Sequence, residues 1–182
     1  MKTVLIPLAP GFEEIEALTV VDILRRGNIN VITAGIVDGP IEGRSKIKVL
    51  ADTNIENVNP DNIDMIVLPG GQPGTNNLKN NQTVLNIVKI INSKNRYTAA
   101  ICAAPTVLSS LGILNNKKVT SHYSVKNDLT MTKYSEDRVV VDGNIITSRS
   151  PGTAMEFAMK LLEILSDKET VEKVNQGVLA RL

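Results

Sequence analysis

The stretch Ala99-Ala100-Ile101-Cys102-Ala103-Ala104-Pro105 carries the chain's single cysteine out of an apolar run and follows it with small residues and a proline. A strand that delivers a nucleophile to a tight turn, with a helix starting just beyond, is the arrangement of a nucleophile elbow, here with Cys in place of Ser. Small neighbours suit it because the turn is strained and the backbone passes close to substrate. The helix N-terminus beyond Cys102 carries partial positive charge, which favours thiolate over thiol. The expectation is a pKa below the free-cysteine value of ~8.5. An isolated cysteine elsewhere reads as a small buried hydrophobe. The strand-to-helix junction is what points Cys102 toward nucleophilic chemistry.

Three other segments offer it partners. Pro69-Gly70-Gly71 stops the apolar run Met65–Leu68. Glycines at a strand end leave backbone N–H groups free to face a ligand. With the N–H of Ala103, those of Gly70 and Gly71 are expected to form an oxyanion hole. Glu13, Glu14 and Glu16 open a helix, where acids complement the dipole, and that role suffices for two of them. Glu16, set beside a thiolate, would have its pKa raised by repulsion and burial and would donate a hydrogen bond. His122, the only histidine, follows Val119-Thr120-Ser121 at another expected strand end and is carried as a candidate general base. A lone histidine serves structure as often as catalysis.

The elements that must position these residues alternate along the chain. Strand-length apolar runs lie at residues 2–8, 30–36, 65–68 and 97–102, with a further one, interrupted by Lys48, at 47–50. Helical spacing appears in Ile15, Leu18, Val21, Ile23 and Leu24, closed by Gly27, and again in Val84, Ile87, Val88 and Ile91. A short helix is expected over 104–111. Val139–Val141 and Ile145–Thr147 flank Asp142-Gly143-Asn144 as a hairpin. Ser150-Pro151 begins a last helix, Ser as N-cap and Pro at the first helical position. Continuous apolar strands separated by helices predict a doubly wound α/β sandwich with a mostly parallel sheet, in which ligands bind beyond the carboxyl ends of the strands.

Composition bounds the rest. A chain of 182 residues fits one domain. Twenty Lys and Arg against nineteen Asp and Glu leave no basic field, so nucleic-acid binding by bulk charge is not expected. No apolar run is long enough to cross a bilayer, and the N-terminal run is too promptly broken by Pro7 for a signal peptide. One cysteine permits no internal disulfide, and a reducing cytoplasm is the expected location. One Cys and one His exclude a zinc site built of thiolates and imidazoles, and no metal or other cofactor is expected. The first loop, Pro10-Gly11-Phe12-Glu13-Glu14, is acidic where a dinucleotide pyrophosphate or flavin phosphate would rest. Neither a P-loop nor a G-x-S-x-G elbow occurs.

Four motifs in order resemble the ThiJ/PfpI superfamily, in particular its small branch containing the parkinsonism-associated protein deglycase. They are Gly11-Phe12-Glu13-Glu14-Ile15-Glu16, Val67-Leu68-Pro69-Gly70-Gly71, Ala100-Ile101-Cys102-Ala103-Ala104-Pro105-Thr106, and Thr147-Ser148-Arg149-Ser150-Pro151-Gly152-Thr153. The resemblance spans nearly the whole chain. It implies a flavodoxin-like αβα sandwich and a homodimer, with Cys102 as the reactive cysteine and Glu16 as its protonated partner. Gly71 and Ala103 would supply oxyanion amides, His122 would lie nearby, and Ser150 and Pro151 would form the pocket rim. Ala103 replaces the His that follows the cysteine in the peptidase-like branch, which argues against proteolysis. His122-Tyr123-Ser124 lacks the Glu of an amidotransferase His-x-Glu. Arg44-Ser45 inverts the order found in many relatives, so Arg44 is not assigned to the site. Ser150 stands where relatives have Gly.

The resemblance implies a cofactor-independent, cysteine-dependent deglycase or glyoxalase acting on methylglyoxal, glyoxal or early glycation adducts of proteins and nucleotides. The alternative is a redox-responsive chaperone or oxidative-stress sensor working through oxidation of Cys102. The label thiazole monophosphate biosynthesis, common in this branch, corresponds to no phosphate site visible in the sequence.

Overall fold

The structure, a computed structural model, describes residues 1–180. Its first strand, β1 (Thr3–Leu8), is buried on both faces, Val4, Ile6 and Leu8 toward one layer of helices and Leu5 toward the other. Helix α1 (Glu14–Arg26) returns the chain to β2 (Asn30–Gly35), parallel to β1. A side hairpin of β3 (Ile41–Glu42) and β4 (Lys48–Val49) precedes the edge strand β5 (Thr53–Asn54). The chain then crosses to the other side of β1 for β6 (Met65–Leu68). Helices α2 (Gly74–Asn80) and α3 (Gln82–Ser93) lead to β7 (Tyr97–Ile101), which α4 (Pro105–Ser110) follows.

Strands β8 (Lys118–Val119) and β9 (Lys133–Tyr134) form a two-stranded ladder of their own. The hairpin β10 (Val139–Asp142) and β11 (Ile145–Ser148) completes the seven-stranded sheet, ordered β10-β11-β7-β6-β1-β2-β5. Only β10 runs antiparallel. Helices α5 (Ala154–Leu165) and α6 (Lys168–Val178) end the described chain. Together these elements form the α/β flavodoxin-like sandwich.

The period-two alternation of the central strands divides the core. Met65, Val67, Ala99 and Ile101 join the apolar layer beneath α1 and α5; Ile66, Leu68 and Ala100 join the layer beneath α3 and α4. Direction reverses about β1, since β2 lies on one side and β6 on the other. The loops after β1, β6 and β7 therefore meet at the crevice where such sheets bind ligands.

Several sequence expectations are revised. Ile15 and Leu18 do not join the buried stripe of α1; they are 55% and 36% exposed, and Glu16, Ala17, Val20, Ile23 and Leu24 turn inward instead. Residues 47–50 contribute only to the side hairpin, and 119–121 do not end a strand of the main sheet. Ser150-Pro151 opens a short 3-10 turn (Pro151–Thr153) that runs into α5. Helices α2 and α6 are additions, both short and polar.

Candidate active site

Cys102 lies one residue beyond β7 with φ 65°, a left-handed conformation that costs a residue bearing a Cβ about 1–2 kcal/mol. Two main-chain bonds hold it there. Its N–H donates to Ser148 O at the end of β11 (3.0 Å), and its carbonyl accepts the N–H of His122 (2.8 Å). The half-buried thiol then faces the N–H groups of Ala103 and Gly71, both of which donate to the sulphur.

Glu16 reaches the same point from the first turn of α1. It is fully buried, and its Oε2 accepts the N–H of Gly70 at 2.8 Å. The carboxyl is hydrogen-bonded to the Cys102 thiol, and Oε1 has no nitrogen or oxygen partner. Burial, aided by the charge of nearby Glu13, pushes the Glu16 pKa up to about 7. Burial and the Glu16 charge push the thiol up to about 12, against the pull of the two amides. The lowered thiol pKa expected from the helix end is thus overturned: α4 is a six-residue helix that starts three residues away, whereas the carboxyl is in contact.

Across the interval between these values the pair retains one proton. The thiol holds it at rest, and the donor set eases its passage to Glu16 when the sulphur acts as nucleophile. A thiolate receives three donors, from Ala103, Gly71 and the neutral carboxyl, whereas a Glu16 carboxylate would receive two, from Gly70 and the thiol.

Gly70 is reassigned. Its N–H is committed to Glu16 and its carbonyl accepts from Glu13 (2.9 Å), so it belongs to the carboxyl and not to an oxyanion hole. A Cβ on Gly70 would lie 2.7 Å from both Cys102 Cβ and Glu16 Oε2. Gly70→Ala is therefore expected to lower stability by about 1–3 kcal/mol through overpacking. Urea unfolding midpoints would show it, and an unchanged midpoint would contradict the packing. Gly71 has φ 90°, with no space for a Cβ against Glu13 N (2.5 Å).

Arg44, left out of the site on sequence grounds, stands 3.5 Å from the buried carboxyl of Glu13 and acts on Glu16 through its charge. Glu14 holds the hairpin loop instead, accepting the N–H of Ser45 at 2.8 Å. His122 is near Cys102 through its backbone, but its ring Nδ1 is engaged by Ser124, 2.7 Å from Oγ. The side chain hydrogen-bonded to the thiol is that of Glu16.

Beside the elbow, Ser150 lines a cleft of about 260 Å³ together with His122, Tyr123, Arg138, Arg149 and Thr153. Pro151, half-buried, opens the adjoining 3-10 turn. The two arginines were missed from the sequence, although the hairpin carries the signal. Counting outward from the Gly143-Asn144 turn, one step past the Val139–Ser148 pair sets Arg138 opposite Arg149.

Residues 2–164 match the family model described as "DJ-1/PfpI family". The chain belongs to the DJ-1/PfpI family. Protein dj-1beta of Drosophila melanogaster is 43% identical over 181 residues, covering 98% of this chain and 97% of that protein. The crystal structure of Drosophila melanogaster DJ-1beta superposes with a TM-score of 0.96, covering 100% of this chain and 99% of that one at 41% identity. The glutathione-independent glyoxalase DJR-1.2 of Caenorhabditis elegans is 37% identical over 171 residues, covering 92% of this chain and 91% of that protein. The DJ-1/PfpI family therefore includes glyoxalase-type enzymes, and in this member Cys102 is the only thiol. Among the described residues no helix is long and apolar enough to cross a membrane.

Proposed function

We propose that the protein is a cofactor-independent glyoxalase or deglycase that isomerises and hydrolyses α-oxoaldehydes, or releases them from early adducts on proteins and nucleotides. The observation that carries this reading is the Cys102–Glu16 pair: a thiol in a left-handed elbow, two amides on its sulphur, and a buried carboxyl hydrogen-bonded to it whose pKa is raised to about 7. Its resemblance to a glutathione-independent glyoxalase supports the same chemistry.

With methylglyoxal, the Cys102 thiolate adds to the aldehyde carbon, and the displaced carbonyl pair on oxygen takes the Glu16 proton. The Gly71 and Ala103 amides, which face the sulphur at rest, would turn to that oxygen as charge develops. The resulting hemithioacetal isomerises as one proton moves from C1 to C2, through Glu16, and another from the C1 oxygen to the C2 oxygen. This forms an S-lactoyl thioester with no external oxidant or reductant. Water adds to the acyl carbon, the C–S bond breaks, one water proton passes back to Glu16 and the other leaves to solvent, and lactate departs with the thiolate restored. His122 is the candidate base for that water. The test is incubation of purified protein with methylglyoxal, without thiol cofactor, followed by proton NMR. Lactate formed in proportion to enzyme supports the reading, and methylglyoxal persisting at the blank rate rejects it.

The same donors favour a second reading, stress sensing, because a Cys102 sulfinate formed by peroxide would receive the Glu16 proton and the two amides. A homodimer is part of the proposal as well. Ile15 and Leu18 stand one turn apart on the outer face of α1, and Glu14 ties that helix to the loop before exposed Ile47 and Leu50. A second copy covering this apolar surface predicts a dimer by sedimentation equilibrium and a monomer for Leu18→Asp. A wild-type monomer would reject it.

A further inference from the structure

The cleft beside the elbow carries two arginines and a serine, Arg138, Arg149 and Ser150, that the carbonyl chemistry at Cys102 does not use. Among the described residues, Arg149 has no carboxylate partner. Its one side-chain hydrogen bond among those residues runs from Nη1 to the Glu136 carbonyl at 2.9 Å, and the other guanidinium donors find no acceptor among them. Arg138 faces it across the hairpin, one step past the last paired residues, and donates to Glu156 at 2.6 Å and to the Gly152 carbonyl at 2.7 Å. Like charges directly opposed on neighbouring strands repel. Glu156 relieves only Arg138, and none of the six residues lining the cleft is acidic.

The remaining walls are Ser150, Thr153 and the His122–Tyr123 ring pair, whose centroids lie 4.2 Å apart. At roughly 30 Å³ per water, the volume of about 260 Å³ has room for a tetrahedral anion and part of the group attached to it.

The cleft is also fixed relative to the thiol. Arg149 immediately follows Ser148, whose carbonyl holds the Cys102 N–H, and the N–H of His122 holds the Cys102 carbonyl. Both backbone bonds thus seat residues of the cleft, Arg149 by chain adjacency and His122 directly, against the elbow that carries the thiol. Planar guanidinium forks suit tetrahedral oxyanions, which they bind in bidentate fashion.

We propose that this cleft is an anion subsite that takes the phosphomonoester of a phosphorylated carbonyl compound or of a glycated nucleotide. Arg149 is its principal ligand, and Arg138, His122 and Ser150 support it. The assignment of substrate class rests on the glyoxalase–deglycase reading; the anion site itself does not.

The experiment has two arms. In the first, inorganic phosphate replaces chloride at constant ionic strength and neutral pH while the ring protons of His122, the chain's only histidine, are followed by NMR. A saturable shift is expected. It should weaken about tenfold or more in Arg149→Gln and less in Arg149→Lys, which keeps charge without the fork. Arg26→Gln, whose arginine pairs with Asp22 on α1, should match wild type. A shift that fails to saturate, or one that Arg149→Gln leaves unaltered, overturns the subsite.

In the second arm, kcat/KM is compared for the methylglyoxal adducts of a nucleoside monophosphate and of the same nucleoside. The phosphorylated adduct should be preferred about tenfold or more, and the preference should collapse in Arg149→Gln. Equal turnover of the two adducts overturns the substrate assignment. Phosphate binding with neither adduct consumed leaves the anion site standing and overturns the glyoxalase–deglycase reading instead.

Discussion

Cys102→Ala is expected to reduce lactate formation from methylglyoxal by at least about 10³-fold, to the blank rate, because every bond-making step of the proposed reaction passes through that sulphur. No other cysteine can take over, since the chain has only one. The fold should persist, because Cys102 is fixed through its backbone N–H and carbonyl, which alanine retains. Circular dichroism and a cooperative melt check this point, and steady-state NMR checks the activity. Residual activity within tenfold of wild type would remove covalent catalysis from the account, whatever the product.

Glu16→Gln is expected to separate activity from stability. Glutamine keeps an acceptor for the Gly70 N–H but has no proton to cycle, so activity should fall about 10²–10⁴-fold. Stability should move the other way. The carboxyl titrates near 4.5 when unfolded and about 7 when folded. A raised folded value means that the native state holds the proton more tightly. The associated stabilisation is complete below pH 4.5 and is lost as pH rises through 7. That loss amounts to about 3 kcal/mol, from roughly 1.4 kcal/mol per pKa unit. Wild type and Glu16→Gln should therefore diverge between those values and run parallel above them, with the variant gaining. Denaturant unfolding across the window measures this, and parallel curves throughout would show that Glu16 is not held neutral by the fold. The same variant tests the stress-sensing reading. If Glu16→Gln and wild type build up the same Cys102 sulfinate under mild peroxide, by intact mass, the carboxyl does not stabilise that product.

The legible parts of the sequence were those in which residue type alone carries the constraint. Cys102 between an apolar strand and a small-residue turn could be placed because few side chains tolerate that junction. The central strands were legible because burial on both faces leaves no polar alternation to confuse. Gly70 was misassigned because glycine signals a free amide but not its direction, which depends on a carboxyl 54 residues away. Ile15 and Leu18 looked inward because spacing reveals an apolar stripe and not which of two stripes faces the sheet. Helix α6 (KETVEKVNQGV) buries little beyond Val174, so its periodicity was faint. The Arg138–Arg149 pairing was recoverable from the hairpin register, yet it emerges only when the turn is counted outward.

The glycines of the crevice also bear on how such a site can change. Gly11 packs against Pro73 and Gly74, Gly74 against Phe12 and Gly11, and Gly71 against Glu13, each too closely for a Cβ. The loops after β1 and β6 are thus keyed together backbone to backbone, and a library varying one loop alone would yield mostly unfolded clones. Diversification has to exchange both loops as a single cassette or spare them altogether. The tolerant positions lie outside the keyed loops, where Tyr123 and Ser150 border open space. A laboratory lineage selected for new substrates should accumulate its first changes there and leave the thiol, the carboxyl and the interlocked glycines untouched.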